Sequence, residues 1–411
     1  MTELRRDADA IVAAAIAAAL PDAAVKKALE GRVFGPGKVR LVAAGKGAWQ
    51  MAATASNILK DRIEAGVVVT KYGHSKGAIS NFDIYEAGHP VPDQNSFDAT
   101  EAALALVRDL TADDTVLFLL SGGGSALFEK PLVPAADLED LTRQLLACGA
   151  DIVEINTLRK RLSAVKGGRF AQICAPAHVV SIVLSDILGD PLDMIASGPA
   201  YPDSSTCAQA RTIVKKYGLR LTPIMEQRLE EETPKALNNV ETQVTGSVRQ
   251  LCAAASAACR KLGYEPVVLT DCLACEAREA GAFLGSIARY HADADHAVAF
   301  IAGGETVVHL TGKGKGGRNQ ELALAAAPFI AGIRGAAVFS VGSDGTDGPT
   351  DAAGGYVDGT TQAALADKGL SIFDVLAEND TYHALQQCGG LIVTGPTGTN
   401  VNDVAVLLLR R

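Results

Sequence analysis

The stretch from Val116 to Ser125 constrains the fold of this chain more than any other. Residues Val116–Leu120 are all apolar, which is typical of a strand buried on both faces of a sheet. A turn made only of glycine and serine follows at once: Ser121, Gly122, Gly123, Gly124 and Ser125. Glycine loses more backbone entropy on folding than other residues, so a run of glycines is expected where the backbone must approach something closely. Open α/β sheets bind anions at such turns, although a tight loop without a ligand explains one of them equally well.

The same pattern, an apolar run followed by a glycine turn with polar groups, recurs along the chain. The six turns of this kind begin at Gly45, Ser121, Ser185, Gly303, Ser343 and Gly395. Helical segments lie between many of the strands, which predicts an α/β fold. A chain of 411 residues is too long for one ordinary core, so two domains are expected, residues 1–235 and 236–411. Turns of this kind in both domains predict one large ligand cleft between them.

Charge and cysteine usage exclude several classes of function. The formal net charge is −9 and no basic stripe offsets it, which argues against a nucleic-acid partner. No apolar stretch is long enough to span a bilayer, so no membrane partner is expected. The eight cysteines are scattered, and only Cys272 and Cys275 have CxxC spacing, without a second pair or a histidine cluster. Free thiols in a reducing, cytoplasmic setting are therefore expected.

Lys46 stands between two glycines directly after the predicted strand Val39–Ala44. Its ammonium group is placed to reach an anion held at the start of the next helix, although a solvated surface lysine is the simpler alternative. The turn is not a Walker P-loop, because GxxxxGK[ST] is absent. No GxGxxG follows a strand either, which argues against a nicotinamide cofactor.

Two further groups of charged residues belong to the first half of the chain. Five cations between Arg159 and Arg169, with Lys166 beside a glycine pair, form either a solvated helix face or a collar around a phosphate. Asp186 and Asp190 follow the predicted strand Val179–Leu184, where hard oxygen ligands suit Mg²⁺. Loop aspartates also serve as turn formers and helix caps, so that reading stays open.

The second half places charged residues around three loops. The predicted strand Val298–Ala302 ends in Gly303, Gly304, Glu305 and Thr306, and a partner strand is predicted at Val307–Leu310. Lys313 and Lys315 lie in a glycine-rich loop, which predicts a mobile lid or nucleotide clamp, unless these lysines only keep the loop soluble. Arg318 and Asn319 follow at the start of a helix, where a guanidinium group can bind phosphate through two parallel hydrogen bonds. Asp344 and Asp351 lie in the loop after a third strand; EF-hand spacing is missing there, so a loop for metal or sugar-like hydroxyls is expected.

Seven motifs taken together resemble those of the class II glycerate kinases. They are SGGGSAL, INTLRKRLSAVKGG, SDILGDPLDMIASGP, GGET, GKGGRNQE, SDGTDGPTDAAGG and GPTGTNVND. Each motif alone is weak, but the set covers nearly the whole chain in colinear order, and the second half resembles the MOFRL domain of that family. The resemblance implies a larger Rossmann-like, doubly wound sheet domain and a smaller α/β domain with the active site in the cleft. It also implies phosphorylation of D-glycerate by ATP with Mg²⁺ to give 2-phosphoglycerate.

The resemblance also implies roles for individual residues. Lys46 and Arg318 are the expected catalytic cations, brought from opposite domains to one triphosphate tail, and Asp186 lies in the matching aspartate loop. Residues expected to bind substrate or phosphate are Ser121, Gly122, Gly123, Gly124, Ser125, Lys166 and Asn319. Residues expected to bind the nucleotide are Gly303, Gly304, Glu305, Thr306, Lys313 and Lys315. Asp186, Asp190, Asp344 and Asp351 are the residues expected to bind the metal or to accept the proton of the 2-hydroxyl, and which of them does which stays open.

Two other functions remain open from the sequence. A hydroxypyruvate reductase handles a redox partner of glycerate, but it needs the dinucleotide fingerprint that is missing here. A non-catalytic metabolite-binding protein predicts stabilisation by ligand without release of ADP. The chain is expected to be a monomer or a homodimer.

Overall fold

The computed structural model describes residues 2–410, which form twelve strands in two six-stranded sheets and sixteen α-helices. The strands are β1 (Val39–Ala44), β2 (Ile63–Lys71), β3 (Phe82–Ala87), β4 (Thr115–Leu120), β5 (His178–Leu184), β6 (Val240–Gly246), β7 (Glu265–Leu273), β8 (Val298–Gly304), β9 (Ala336–Gly342), β10 (Gly354–Asp358), β11 (Leu391–Ile392) and β12 (Asp403–Leu409). The helices are α1 (Glu3–Ala19), α2 (Pro21–Leu29), α3 (Ala48–Leu59), α4 (Gln94–Leu106), α5 (Gly124–Leu127), α6 (Ala135–Ala147), α7 (Ile152–Arg159), α8 (Arg169–Cys174), α9 (Cys207–Tyr217), α10 (Pro223–Leu229), α11 (Val248–Lys261), α12 (Ala277–Tyr290), α13 (Arg318–Ile330), α14 (Thr361–Ala366), α15 (Ile372–Ala377) and α16 (Thr381–Cys388).

The first sheet has the strand order β3-β2-β1-β4-β5-β6. The pairs from β3 to β5 are all parallel, and this order is that of the doubly wound dinucleotide-binding sheets. Strand β4 is buried along its whole length, and the rings of Phe118, Phe128 and Phe170 pack together with centroids 4.6–5.5 Å apart. The chain reverses its winding between β1 and β4, so the crevice at their carboxyl ends is the ligand position that this topology favours.

The second sheet has the order β11-β10-β9-β12-β8-β7 and is mixed. Strand β12 runs antiparallel to both β8 and β9, and Asp403 pairs in register with Gly304 and with Gly342. The amino end of β12 therefore lies between the carboxyl ends of β8 and β9. Helices α12 and α13 pack closely because α12 has glycine at 281 and 285; a Cβ on Gly281 would lie 2.1 Å from the Leu322 carbonyl oxygen. The predicted α/β fold class with two domains is confirmed.

Two compact units divide the chain, each with one of the sheets. The first-sheet unit comprises residues 24–184 and 190–245, and the second-sheet unit comprises residues 1–23, 185–189 and 246–411. This division differs from the predicted boundary at residue 235, because β6 completes the first sheet beyond that point. The first helix belongs to the second-sheet unit, where the buried Asp7 accepts hydrogen bonds of 2.6 Å from Tyr264 Oη and Arg410 Nη1.

Most predicted strands form, but the partner strand at Val307–Leu310 does not. In the structure this stretch has only an isolated bridge between Val307 and Glu276, and Val307 and Leu310 are exposed. The apolar residues there line a cavity described below instead of pairing in the sheet.

Two further features are the state of the cysteines and the length of the apolar helices. All eight cysteines are unpaired, as expected. No single helix within residues 2–410 is long and apolar enough to cross a bilayer; α1 and α2 pass that test only jointly, and they are bent by 57° at the break between them.

Candidate active site

The turns after β1 and β4 lie side by side at the switch point of the first sheet. Ala44 and Leu120 are paired at the ends of the two strands. The backbone N–H of Lys46 donates to the Gly122 carbonyl at 2.8 Å, and the N–H of Gly47 donates to Ser121 Oγ at 2.9 Å. Gly45 has φ +125°, and a Cβ there would lie 2.3 Å from Ser121 Oγ. Glycine is therefore required in these turns because the two turns contact each other closely.

Several polar groups at this switch point lack a protein partner. The Lys46 side chain is half-buried, yet its ammonium group makes no ion pair or hydrogen bond with any described residue. The backbone N–H groups of Gly122 and Gly123 likewise donate to no described residue. Unpaired backbone N–H groups beside an unpaired cation are the arrangement that binds an anion.

The remaining residues of the Ser121–Ser125 turn make contacts within the protein, and their predicted binding of a ligand stays a prediction. Ser121 is buried and its hydroxyl accepts the Gly47 N–H. A Cβ on Gly124 would lie 2.8 Å from Cβ of Ala196, so this glycine serves packing. The Ser125 hydroxyl lies 3.2 Å from Ser197 Oγ, which in turn donates to Asn156.

Lys166 is fully buried and supports the turn from behind, and its predicted contact with phosphate stays a prediction. Its Nζ donates to the carbonyl oxygens of Ser125 at 2.7 Å and Phe128 at 3.2 Å, and it lies 3.5 Å from Glu129. Burial lowers the pKa of Lys166 to about 8, with Glu129 opposing the shift.

The other cations of the proposed phosphate collar are also turned inward. Lys160 and Arg161 are buried and pair with Asp203. Arg159 remains half-buried, with Nη2 3.5 Å from the Ser125 carbonyl and a buried Nε that has no partner. The ion-pair partner of Lys160 and Arg161 is remote in sequence, so the number of cations in this stretch does not by itself indicate a phosphate site.

Arg318 of the second-sheet unit is fixed by two carboxylates. Its Nε donates to Asp403 Oδ2 at 2.6 Å and its Nη2 to Asp403 Oδ1 at 3.1 Å, while Nη1 donates to Glu305 Oε1 at 2.6 Å. Burial raises the pKa of Asp403 to about 6, although the hydrogen bonds from Arg318 oppose this. Burial disfavours the charged form of Arg318, but the two carboxylates outweigh that effect and raise its pKa. The sequence analysis missed Asp403; its signal was the GPTGTNVND motif, which it ends.

The amino terminus of α13 is already occupied by a carboxylate. Asp347 accepts the N–H of Asn319 at 3.1 Å and the N–H of Gln320 at 2.9 Å. The Asn319 side chain is buried and accepts a 2.6 Å hydrogen bond from Ser340 Oγ. Burial raises the pKa of Asp347 in spite of these bonds. Asn319 therefore supports the start of α13, and its predicted contact with phosphate stays a prediction.

The glycine-lysine loop 312–317 is held by several hydrogen bonds to residues 378–380, and its predicted role as a lid or nucleotide clamp stays a prediction. Asn379 Oδ1 accepts the N–H groups of Thr311 at 2.8 Å and Gly312 at 2.9 Å. Gly314 donates to the Glu378 carbonyl at 2.8 Å, and the N–H of Lys315 donates to Asp380 Oδ1 at 2.9 Å. A Cβ on Gly312 would lie 2.3 Å from the Glu378 backbone, so this glycine is needed for close contact. Lys315 Nζ lies 4.3 Å from the centroid of the Tyr382 ring.

A cavity of about 690 Å³ opens beside this loop within the second-sheet unit. Its volume is in the range of small-molecule sites. The apolar part of its wall is formed by Val307, Val308, Leu310 and Pro349. Thr306, Lys313, Arg318 and Asp344 supply polar groups, and exposed Lys313 has no ion-pair partner among the described residues. The cavity therefore joins an apolar wall to cationic side chains.

Three predicted nucleotide residues have other roles in the structure. Gly303 and Gly304 are buried in β8; a Cβ on Gly303 would lie 2.3 Å from Cys252 Sγ, and one on Gly304 would lie 2.1 Å from the Leu273 carbonyl. These glycines therefore allow strand and helix packing, and their predicted contact with the nucleotide stays a prediction. Glu305 binds Arg318.

The four aspartates predicted to bind metal do not form one cluster. Within residues 2–410, no three His, Cys, Asp or Glu side chains are grouped so that they could hold an ion. Asp344 lines the cavity and accepts the Thr346 N–H at 2.9 Å. Asp351 is exposed, and a 2.7 Å hydrogen bond from Tyr382 Oη lowers its pKa. Asp186 lies in the loop after β5, and Oδ1 of Asp190 in the same stretch is buried without a partner.

Two family models match the two halves of the chain, and single relatives match nearly all of it. Residues 7–230 match the model of a domain of unknown function, DUF4147, and residues 298–403 match the MOFRL family. A D-glycerate 2-kinase from Thermotoga maritima is 52% identical over 99% of this chain and 98% of its own length. The crystal structure of a glycerate kinase from the same organism has a TM-score of 0.95 at 51% identity, covering 99% of both chains. A putative hydroxypyruvate reductase from Agrobacterium vitis is 39% identical over 96% of this chain and 92% of its own.

Proposed function

The chain belongs to the family of glycerate kinases that carry a MOFRL domain, and on this premise we propose that it transfers the γ-phosphoryl group of ATP to the 2-hydroxyl of D-glycerate. The product is 2-phosphoglycerate. The observation that carries the proposal is the half-buried, unpaired ammonium group of Lys46 beside the unpaired N–H groups of Gly122 and Gly123. Holding such a cation without a counter-ion is costly unless an anionic ligand completes the site.

The chemistry needs little from the protein beyond positioning and positive charge. Phosphoryl transfer spreads negative charge over the oxygens of the transferred group, and fixed cations stabilise it. Lys46 supplies one point charge on a short turn between β1 and α3. Because the turn is braced by hydrogen bonds to Gly122 and Ser121, the lysine starts from a fixed backbone.

Arg318 supplies the second cation in a different way. Three of its hydrogen bonds go to Asp403 and Glu305. A guanidinium group has five N–H donors, so one donor on each Nη remains for a ligand. We assign these two donors to oxygens of the transferred phosphoryl group, for which a forked pair is well suited.

The cavity beside Arg318 is the proposed nucleotide site. Its apolar wall at Val307, Val308 and Leu310 suits the faces of a base, and Lys313 and Thr306 suit phosphate oxygens. Lys315 stays in the proposal as a neighbouring charge, although it stacks on Tyr382.

Magnesium is part of the proposal through Asp344. This half-buried carboxylate lines the cavity, has no ion-pair partner among the described residues, and keeps one oxygen free of its turn hydrogen bond. Mg²⁺ commonly takes one or two protein carboxylates and completes its shell with phosphate oxygens and water, so a lone aspartate fits. When bound, the ion neutralises phosphate charge. We assign the proton of the 2-hydroxyl to Asp186, with Asp190 as the other aspartate of that loop.

The hydroxypyruvate reductase name of one relative supports a weaker second candidate. A reductase needs a dinucleotide site, and the first βα turn here is Gly45-Lys46-Gly47 without the GxGxxG fingerprint. A coupled assay of ADP release with D-glycerate, followed by ³¹P NMR of the product, tests the kinase. Loss of nicotinamide absorbance with hydroxypyruvate, without ADP release, would establish the reductase instead. The unpaired cysteines suit a reducing compartment, so the proposal includes a cytoplasmic location.

A further inference from the structure

His89 lies beside Lys46 at the switch point of the first sheet. A Cβ on Gly123, which has φ +86°, would lie 3.0 Å from His89 Cδ2, 3.1 Å from His89 Nε2 and 3.4 Å from Lys46 Cγ. The edge of the imidazole that carries Nε2 therefore faces the glycine, and the lysine stem borders the same space. The imidazole and the lysine stem can come this close to the backbone because residue 123 has no side chain.

The imidazole has no partner of its own. His89 is half-buried, and neither ring nitrogen makes a hydrogen bond or ion pair with any described residue. The other titratable groups near this corner are Lys71 at the end of β2, His74, whose Nδ1 lies 3.1 Å from the Lys46 carbonyl, and Asp93, whose carboxylate accepts the backbone N–H of Gly88. Burial first, and then Lys46, Lys71 and His74, lower the pKa of His89, so the ring is neutral near pH 7 and presents one N–H.

We propose that His89 Nε2 and the backbone N–H of Gly123, beside the Lys46 ammonium group, bind the carboxylate of the acceptor substrate. The inference deepens the proposed function and rests on it for the identity of that acceptor as a small 2-hydroxycarboxylate. His89 is thereby a binding residue that selects acceptors carrying a carboxylate.

The chemistry of the corner favours a carboxylate over the transferred phosphoryl group. A neutral imidazole and a backbone N–H match the two oxygens of a planar monoanion. A phosphoryl group in transfer carries more charge and is better matched by the forked cation of Arg318. An acceptor without the carboxylate would leave His89 and Gly123 unpaired, and unpaired buried polar groups are an effective basis for rejection.

Steady-state kinetics of His89→Ala and His89→Gln test the assignment. We expect the KM for D-glycerate to rise about 10- to 100-fold in His89→Ala, the usual loss for a hydrogen bond to a charged group, while the KM for ATP stays near that of the parent. His89→Gln should recover much of the loss, because the amide nitrogen of glutamine reaches the position of Nε2. A higher KM for ATP, or an unchanged KM for glycerate, would overturn the assignment.

A second substrate separates binding of the carboxylate from a structural role. Glyceramide replaces the carboxylate with a neutral amide, and the parent enzyme should prefer glycerate strongly. The preference should shrink in His89→Ala by about the factor lost in KM; an unchanged preference in a folded variant contradicts the subsite. His178→Ala is the matched control, since this exposed histidine lies at the amino end of β5 in the same sheet and should alter neither constant.

Calorimetric titration with D-glycerate distinguishes failure of this inference from failure of the proposed function. If the parent protein binds D-glycerate more tightly than His89→Ala but releases no ADP, the subsite stands and the kinase assignment falls. If ADP is released and both proteins bind D-glycerate equally, the kinase stands and the subsite falls. Thermal unfolding of each variant confirms that the fold is intact.

Discussion

The carboxylate of Asp403 accepts two hydrogen bonds from the guanidinium group of Arg318, at 2.6 and 3.1 Å, across 85 residues of sequence. Asp403 is the first residue of β12, and its register between Gly304 and Gly342 fixes where the arginine is held. The register of β12 and the start of α13 thus fix the direction of the Arg318 guanidinium group. The catalytic use of Arg318 depends on this support, and the predictions begin with it.

Replacing Asp403 with asparagine should impair catalysis without abolishing substrate binding. The variant keeps the shape but removes the charge that orients Arg318, so we expect kcat to fall about tenfold or more, since small displacements of a positioned group are costly. Breaking a buried pair should also lower the unfolding free energy by about 3 kcal/mol. Steady-state kinetics and urea unfolding measure both effects. Glu305→Gln is the control, because that partner is exposed and should cost less; equal losses in the two variants would contradict the role of Asp403.

The raised pKa of Asp403 predicts a change in the pH profile. The carboxylate holds Arg318 only when ionised, and its pKa of about 6 lies above the ordinary value of 3.8. Activity of the parent should therefore fall as the pH drops through 6, and this acid limb should be reduced in Asp403→Asn. Profiles of kcat between pH 5 and 8 for both proteins check this; identical acid limbs would assign the titration to another group.

Removing either proposed catalytic cation should nearly abolish turnover. Lys46→Ala and Arg318→Ala are each expected to lose about a thousandfold in kcat, by analogy with cations supplied to phosphoryl transition states. ADP release measures the loss. Lys38→Ala is the control, because this exposed lysine precedes the opposite end of β1. Near-parental activity in both variants, with the fold intact, would remove these side chains from the mechanism.

Asn379 should control nucleotide binding through the loop 312–317. Its Oδ1 accepts two backbone N–H groups of this loop, at Thr311 and Gly312. Asn379→Ala should raise the KM for ATP about tenfold while leaving the KM for glycerate unchanged, and hydrogen exchange should quicken at Thr311 and Gly312. Asn81→Ala is matched, since Asn81 also has a positive φ but is exposed. Equal effects of the two variants would attribute the loss to backbone strain.

Lys166 predicts a stability change at alkaline pH. Burial lowers its pKa to about 8 from 10.5, so between these values the unfolded chain binds more protons than the folded one. The contribution of Lys166 to the unfolding free energy should therefore increase as the pH rises from 8 to 10.5. The double variant Lys166→Met/Glu129→Gln, which leaves no lone buried charge, should lack this increase. Urea unfolding at pH 7 and 10 tests it, with Lys130→Met as a surface control; a parallel pH response in the double variant would contradict the prediction.

The local sequence pattern was enough to predict most of the secondary structure. The apolar runs that became β1, β4, β5, β8, β9 and β12 were recognisable because burial on both faces leaves no polar residues in a strand. The run Val307–Leu310 looked the same, yet it forms no strand, since no neighbouring strand offers it a ladder and its side chains line a cavity. The edge strand β3 was missed for the opposite reason, because the charged residues Asp83 and Glu86 interrupt its apolar pattern.

The sequence by itself determined that this chain is an α/β protein with glycine turns at its strand ends, and it placed Lys46 in one of these turns and Arg318 at the start of a helix after a glycine-rich loop. These are local properties, set by side-chain periodicity and by the backbone freedom of glycine. The tertiary structure alone decided which charges are available to a ligand. Lys166 and Asn319 form hydrogen bonds with partners inside the protein, whereas the side chains of Lys46 and His89 have no hydrogen-bond partner among the described residues. The reason is that strand order, and not distance along the sequence, decides which groups lie next to a charge.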